Sequence, residues 1–91
     1  MNKKSPLSAG QWRYIFMQIY QRLKDLREDH DLNQAAVAEL LNTTQQQYYR
    51  YETGKRELPM HHFITLARYY NVSLDYLAGL ISEPRKLYRD K

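Results

Sequence analysis

The sequence predicts an all-α domain of five helices whose first helix is extended at its N-terminus. Three observations carry this expectation. Apolar residues recur at steps of three and four along the longer segments, no stretch alternates apolar and polar residues at the period of a strand, and Ser, Thr, Asn, Pro and Gly stand where helices would start or stop. With 91 residues and 43% hydrophobic content, the chain is expected to form one small domain over residues 1–91, with one modest core and no added ligand-sensing or catalytic domain.

Each element has its own local reason. Ser8 and Gln11 have the spacing of a capping box, and Leu7 and Trp12 occupy the positions of a hydrophobic staple. From there Trp12, Phe16, Ile19, Leu23 and Leu26 form one stripe at steps of four and three. The first helix should therefore run about 20 residues, roughly 30 Å, to near His30 and Asp31. Asn33 can cap a second helix, residues 34–41, whose inner face is Val37, Ala38 and Leu41. Asn42 tolerates the left-handed backbone that closes a helix, and Thr44 caps the third, with Gln47 expected to reach back as its capping-box partner. On that helix Tyr48 and Tyr51 share one face, while Gln45, Gln46, Tyr49 and Arg50 lie opposite, and Gly54 ends it. Pro59 suits the first turn of a fourth helix with Met60, Phe63, Ile64, Ala67 and Tyr70 at helical spacing, closed by Asn71. Ser73 caps a short fifth helix with Asp75 in its first turn and Leu74 and Leu77 turned inward. The polar tail, residues 81–91, is expected to be loosely held.

Charge and composition narrow the function. Fourteen Lys and Arg against ten Asp and Glu give a net charge of +4, a balance that favours a polyanionic partner. The charge is unevenly placed: Asp25, Glu28, Asp29 and Asp31 crowd one stretch, whereas residues 32–51 hold only Glu39 and Arg50. The absence of cysteine excludes a disulfide framework and a thiolate metal site. No apolar run follows Lys3 and Lys4, and nowhere do 18 apolar residues stand together, so a cytoplasmic protein is expected. His61 and His62 are adjacent rather than four residues apart, which is the wrong spacing for a helical ligand pair, and no metal is expected. No Ser/His/Asp set, carboxylate pair or glycine-rich phosphate loop is visible, so neither an enzyme nor a cofactor is expected.

Residues 22–80 resemble the helix-turn-helix transcription regulators of the Cro and phage-repressor (Xre) type. The resemblance is carried by RLKDLR at 22–27, LNQAAVAELL at 32–41, TTQQ at 43–46, YETGKRELP at 51–59, LARYY at 66–70 and NVSLDYLAGL at 71–80. It implies a lambda-repressor-like DNA-binding core over about residues 19–80, with residues 8–18 as an N-terminal extension of the first helix and 81–91 as a tail. Position by position, it implies that Asn33 and Gln34 contact phosphate and that Thr44 touches the backbone at the start of the recognition helix. Gln45, Gln46 and Arg50 would read bases with Tyr49 beside them, Lys55 and Arg56 would grip the far phosphates, and Arg27 with Glu52 would tie the first helix to the end of the third. Ala38 falls where the two helices of the motif cross. This chain departs from the pattern at Asp31 and Asn42, where the family has glycine, at Tyr48, where it has a small aliphatic residue, and in the extension itself.

The residue types suit that implied task. In the major groove adenine shows an acceptor beside a donor, which a glutamine amide meets with two hydrogen bonds, and arginine suits guanine. Neutral amides read sequence without indiscriminate attraction, while cations hold the backbone in register. Trp12 and Phe16 lie outside the family's domain, and they either fold against the tail residues Leu80, Ile81, Leu87 and Tyr88 or meet a second copy. The expected partner is double-stranded DNA, bound by a homodimer that acts as a transcriptional regulator, with repression at a palindromic operator the expected mode. A second class of function is an antitoxin whose first helix or tail neutralises a toxin partner while the motif regulates its own operon.

Overall fold

Side-chain caps set the starts of all but the fourth helix in the computed structural model, which describes residues 8–88. Helix α1 spans Ala9–Asp29. The Ser8 hydroxyl accepts from the Gln11 amide at 3.2 Å, and the Ser8 amide donates to Gln11 Oε1 at 2.7 Å, a complete capping box. Leu7, the expected staple partner of Trp12, lies outside the described residues. Asn33, Thr44 and Ser73 cap α2 (Gln34–Leu40), α3 (Gln45–Glu52) and α5 (Leu74–Leu77) in the same way, by accepting from a backbone amide three residues on. Helix α4 (Met60–Tyr70) starts after Pro59 without a side-chain cap.

The helices end on left-handed residues. Asp31, Asn42 and Asn71 have φ of 56°, 54° and 54°, the region that Asn and Asp tolerate best among residues with a Cβ. The glycines missing at 31 and 42 are thus replaced by residues that keep the same turn.

Each helix sends one large side chain wholly into the core: Leu23 from α1, Val37 from α2, Tyr48 from α3, Leu66 from α4 and Leu77 from α5. Leu26, Ala38, Leu41, Tyr51, Leu58, Ala67, Tyr70 and Val72 complete the cluster. Tyr48 occupies its place without a hydrogen bond, since neither its hydroxyl nor that of Tyr70 has a partner. Burial holds both phenols protonated and pushes Tyr70 up to about 12.

Three expectations are corrected. The inner face of α4 is His62, Leu66, Ala67 and Tyr70, while Met60 and Ile64 are exposed. A wide apolar stripe leaves the helix free to rotate, and packing against α3 draws His62 onto Tyr51, with ring centroids 5.6 Å apart. His62 is therefore buried, and burial together with the neighbouring His61 lowers its pKa. Leu74 of α5 is exposed, and Leu77 is the buried residue of that helix, with Tyr76 packed partly buried against the core. The tail is tied rather than loose: the Ser73 amide donates to the Arg85 carbonyl at 2.7 Å and the Tyr88 amide to Asn71 Oδ1 at 2.9 Å. Arg22 of α1 fastens the start of this tail, donating to the carbonyls of Tyr76 (2.7 Å) and Ile81 (2.9 Å) with its guanidinium over the Tyr76 ring.

Candidate nucleic-acid interface

Helices α2 and α3 pack directly on one another, and Ala38 of α2 is 2% exposed. The Thr43 amide donates to the Ala38 carbonyl at 2.9 Å and holds the turn. The two helices are thereby set at a fixed angle, and the N-terminal half of α3 is turned outward.

Gln45 and Gln46 are exposed on the first turn of α3, and among the described residues neither side-chain amide makes a hydrogen bond. Thr44 beside them is exposed and spends its hydroxyl on the Gln47 amide at 3.1 Å. Tyr49 is 43% exposed and Arg50 half-buried, one turn further on. Gln47 does not reach back to Thr44. Its amide donates forward to the Tyr51 hydroxyl at 3.1 Å and its Oε1 accepts a long 3.4 Å bond from Arg50, so the expected capping box is a simple Thr44 cap. A side chain pointing along the helix finds a part-buried phenol there, which is a better-shielded partner than an exposed backbone amide.

Lys55 and Arg56 lie in the loop after α3, exposed side by side. Their backbone amides both donate to the Arg50 carbonyl, at 2.8 and 3.1 Å, with Gly54 at φ 80° making the bend. Lys55 Nζ sits 5.5 Å from the centre of the Tyr49 ring, within cation–π range. The loop is thus folded back against the Tyr49–Arg50 turn of α3, which places two cations at that end of its exposed face. The Tyr20 ring of α1 lies close against Gly54, where any Cβ would overlap it.

Behind the exposed face is a buried polar cluster. Arg27 grips Glu52 with Nε–Oε2 at 2.8 Å and Nη2–Oε1 at 3.0 Å, and its Nη1 donates to the Leu32 carbonyl at 2.9 Å. Gln34 Nε2 donates to Glu52 Oε1 at 3.1 Å. One of the amide hydrogens expected to face phosphate is therefore turned inward, leaving Gln34 its second hydrogen. Asn33, exposed, accepts the Ala36 amide at 2.8 Å and keeps its own amide hydrogens outward. Burial alone would raise the Glu52 carboxyl, but the hydrogen bonds it accepts and the Arg27 charge outweigh this and lower its pKa. The Tyr48 hydroxyl lies beside that carboxylate outside hydrogen-bond geometry. Arg27 is raised in turn, chiefly by its hydrogen bonds to Glu52.

Trp12 and Phe16 stand apart from this face. Their rings stack at 5.9 Å, 41% and 44% exposed, and the grooves they line are walled by α1, the α3–α4 loop and the start of α4 rather than by tail residues. The sequence reading missed the inward turn of Gln34 and the contacts of Tyr20 and Arg22. A glycine followed by two cations hinted at a close approach to Gly54, but nothing local named Tyr20 as the approaching group. Among the described residues no three His, Asp or Glu side chains converge as a metal site, and no helix is long and apolar enough to cross a membrane.

A family model described as helix-turn-helix matches residues 23–77. Over 64 residues, 70% of the chain, the sequence is 38% identical to YobD of Bacillus subtilis (strain 168), named an uncharacterized HTH-type transcriptional regulator, and it spans 57% of that protein's length. No solved structure matches.

Proposed function

The chain belongs to the helix-turn-helix family, of the Cro and phage-repressor (Xre) type, and on that premise we propose that it binds double-stranded DNA sequence-specifically as a cytoplasmic transcriptional repressor, two copies occupying a palindromic operator. The observation that carries this reading is the pair of uncommitted amides on Gln45 and Gln46, exposed at the start of a helix that begins at the Thr44 cap and is followed by the Lys55–Arg56 loop. Amides left free on a well-capped helix have hydrogen bonds to give, and base edges in the major groove accept and donate in the matching pattern. Asn33, Gln34, Thr44, Lys55 and Arg56 hold phosphates and set the register; Gln45, Gln46 and Arg50 read bases, with Tyr49 at the groove edge.

Helix α3 enters the groove N-terminus first, so Gln45 and Gln46 meet the outer part of each half-site and Arg50 and the following loop lie toward the dyad. Occupancy of such a site excludes the transcription machinery. Selection from a random duplex pool tests the reading. An inverted repeat with half-site centres about 34 Å apart is the expected product, whereas a pool that stays random after repeated rounds overturns it.

A further inference from the structure

Lys55 reaches back toward the helix it follows. Gly54 at φ 80° turns the chain, and the Lys55 and Arg56 amides both donate to the Arg50 carbonyl, at 2.8 and 3.1 Å. That turn returns the Lys55 side chain along α3, where its Nζ lies 5.5 Å from the centre of the Tyr49 ring, inside the ~6 Å over which a ring face attracts a cation. Among the described residues no carboxylate comes within ion-pair distance of Lys55, and no ring lies under Arg56. Tyr49 is itself fixed: it belongs to α3, and its carbonyl accepts from the Thr53 hydroxyl at 2.7 Å. It also lines a groove of about 470 Å³ together with Lys24 and Gln34.

We propose that Tyr49 is a positioning residue for phosphate contact: its ring seats the Lys55 ammonium before DNA arrives, and it serves the grip on the backbone rather than the reading of bases. The proposal deepens the DNA-binding reading and rests on it. The chemistry of the seat carries the argument. A lysine side chain is long and rotamer-rich, and ordering it on binding costs affinity. A carboxylate could order it beforehand, but would cancel its charge and compete with phosphate for the ammonium. An aromatic face holds the ammonium through its quadrupole and leaves the full positive charge to a phosphate. Gln34, which holds phosphate in that reading, lines the groove with Tyr49, so the ring has a second backbone-contacting group beside it.

A double-mutant cycle on the DNA affinity of the full chain tests it, with a scrambled duplex, which offers phosphates alone, beside the selected one. Tyr49→Leu should weaken binding about two- to fivefold on both duplexes and should have no further effect once Lys55→Ala is present. Tyr49→Phe, which keeps the ring and removes the hydroxyl, should restore the lost affinity. The cycle of Tyr49→Leu with Arg56→Ala should be additive, since no ring lies under Arg56. The seat can also be read without DNA: in NMR spectra of the free chain the Lys55 ε-methylene protons should be shifted upfield by the ring, and the shift should vanish in Tyr49→Leu. Equal loss from Tyr49→Leu with and without Lys55 would give Tyr49 a merely structural role, and a change of preferred base would assign it to readout. Either result overturns the proposal, as does an absent upfield shift. A selected pool that stays random sinks the sequence-specific reading alone, because coupling on the scrambled duplex still supports the seat; a chain that binds neither duplex overturns both.

Discussion

Arg27 and Glu52, from the last turns of α1 and α3, are joined by two parallel hydrogen bonds of 2.8 and 3.0 Å with side chains only 12% and 4% exposed. Glu52 also holds Gln34 at the start of α2, so one carboxylate fixes three helices behind the exposed face of α3.

Removing that carboxylate strands a cation in a shielded site. Glu52→Ala should cost about 2 to 3 kcal/mol and lower Tm by on the order of 10 to 15 °C for a domain of this size. A melt within a degree or two of the wild type would show that the pair contributes no net stability.

The pH profile follows from two depressed groups. Glu52 titrates below its ordinary 4.5 when folded, so its contribution is complete above about pH 4.5 and is lost as pH falls through the lower folded value. His62 also titrates below its ordinary 6.5. The folded state binds its proton less readily than the unfolded state, so stability should already decline as pH drops below 6.5. Denaturant melts from pH 8 to 3 should show both declines, with His62→Gln removing the upper one and Glu52→Gln the lower. An upper decline that persists in His62→Gln would assign it to another group.

Lys55→Ala and Arg56→Ala should weaken binding to every DNA sequence alike and reduce the salt slope by about 0.9 each. Titrations at several salt concentrations on a selected and a scrambled duplex decide the point; a change of preferred base would move these residues from phosphate contact to readout.

Gln46→Ala and Gln47→Ala should differ in kind. The first should relax preference at one symmetric pair of positions, at about 1 to 3 kcal/mol per lost bidentate contact. The second removes the bond to Tyr51 and should cost about 0.5 to 1.5 kcal/mol of stability with the same selected sequence. Reversal of the two outcomes would place the recognition register one residue away.

Gly54→Ala meets two obstacles, the φ of 80° and the overlying Tyr20 ring. It should destabilise by more than about 1 kcal/mol, and Tyr20→Ala in the same chain should recover part but not all of the loss, because the backbone strain remains. Strictly additive effects in the double-mutant cycle would deny the contact.

Local chemistry made the helices legible. Ser8, Asn33, Thr44 and Ser73 announce their caps, and Asn42, Gly54 and Asn71 their stops, because those residue types satisfy terminal amides or accept positive φ whatever surrounds them. The outward placement of Gln45 and Gln46 was equally legible, since Tyr48 and Tyr51 can occupy only one face of so short a helix. Tertiary packing alone decided the rest. Which edge of the α4 stripe faces inward, where the amide of Gln47 points, that Gln34 turns to Glu52 and that Tyr20 closes over Gly54 all depend on groups distant in sequence. Spacing sets the angle of a side chain around its own helix, but a long flexible side chain takes whichever partner the assembled helices bring within reach, and that partner is written in another part of the chain.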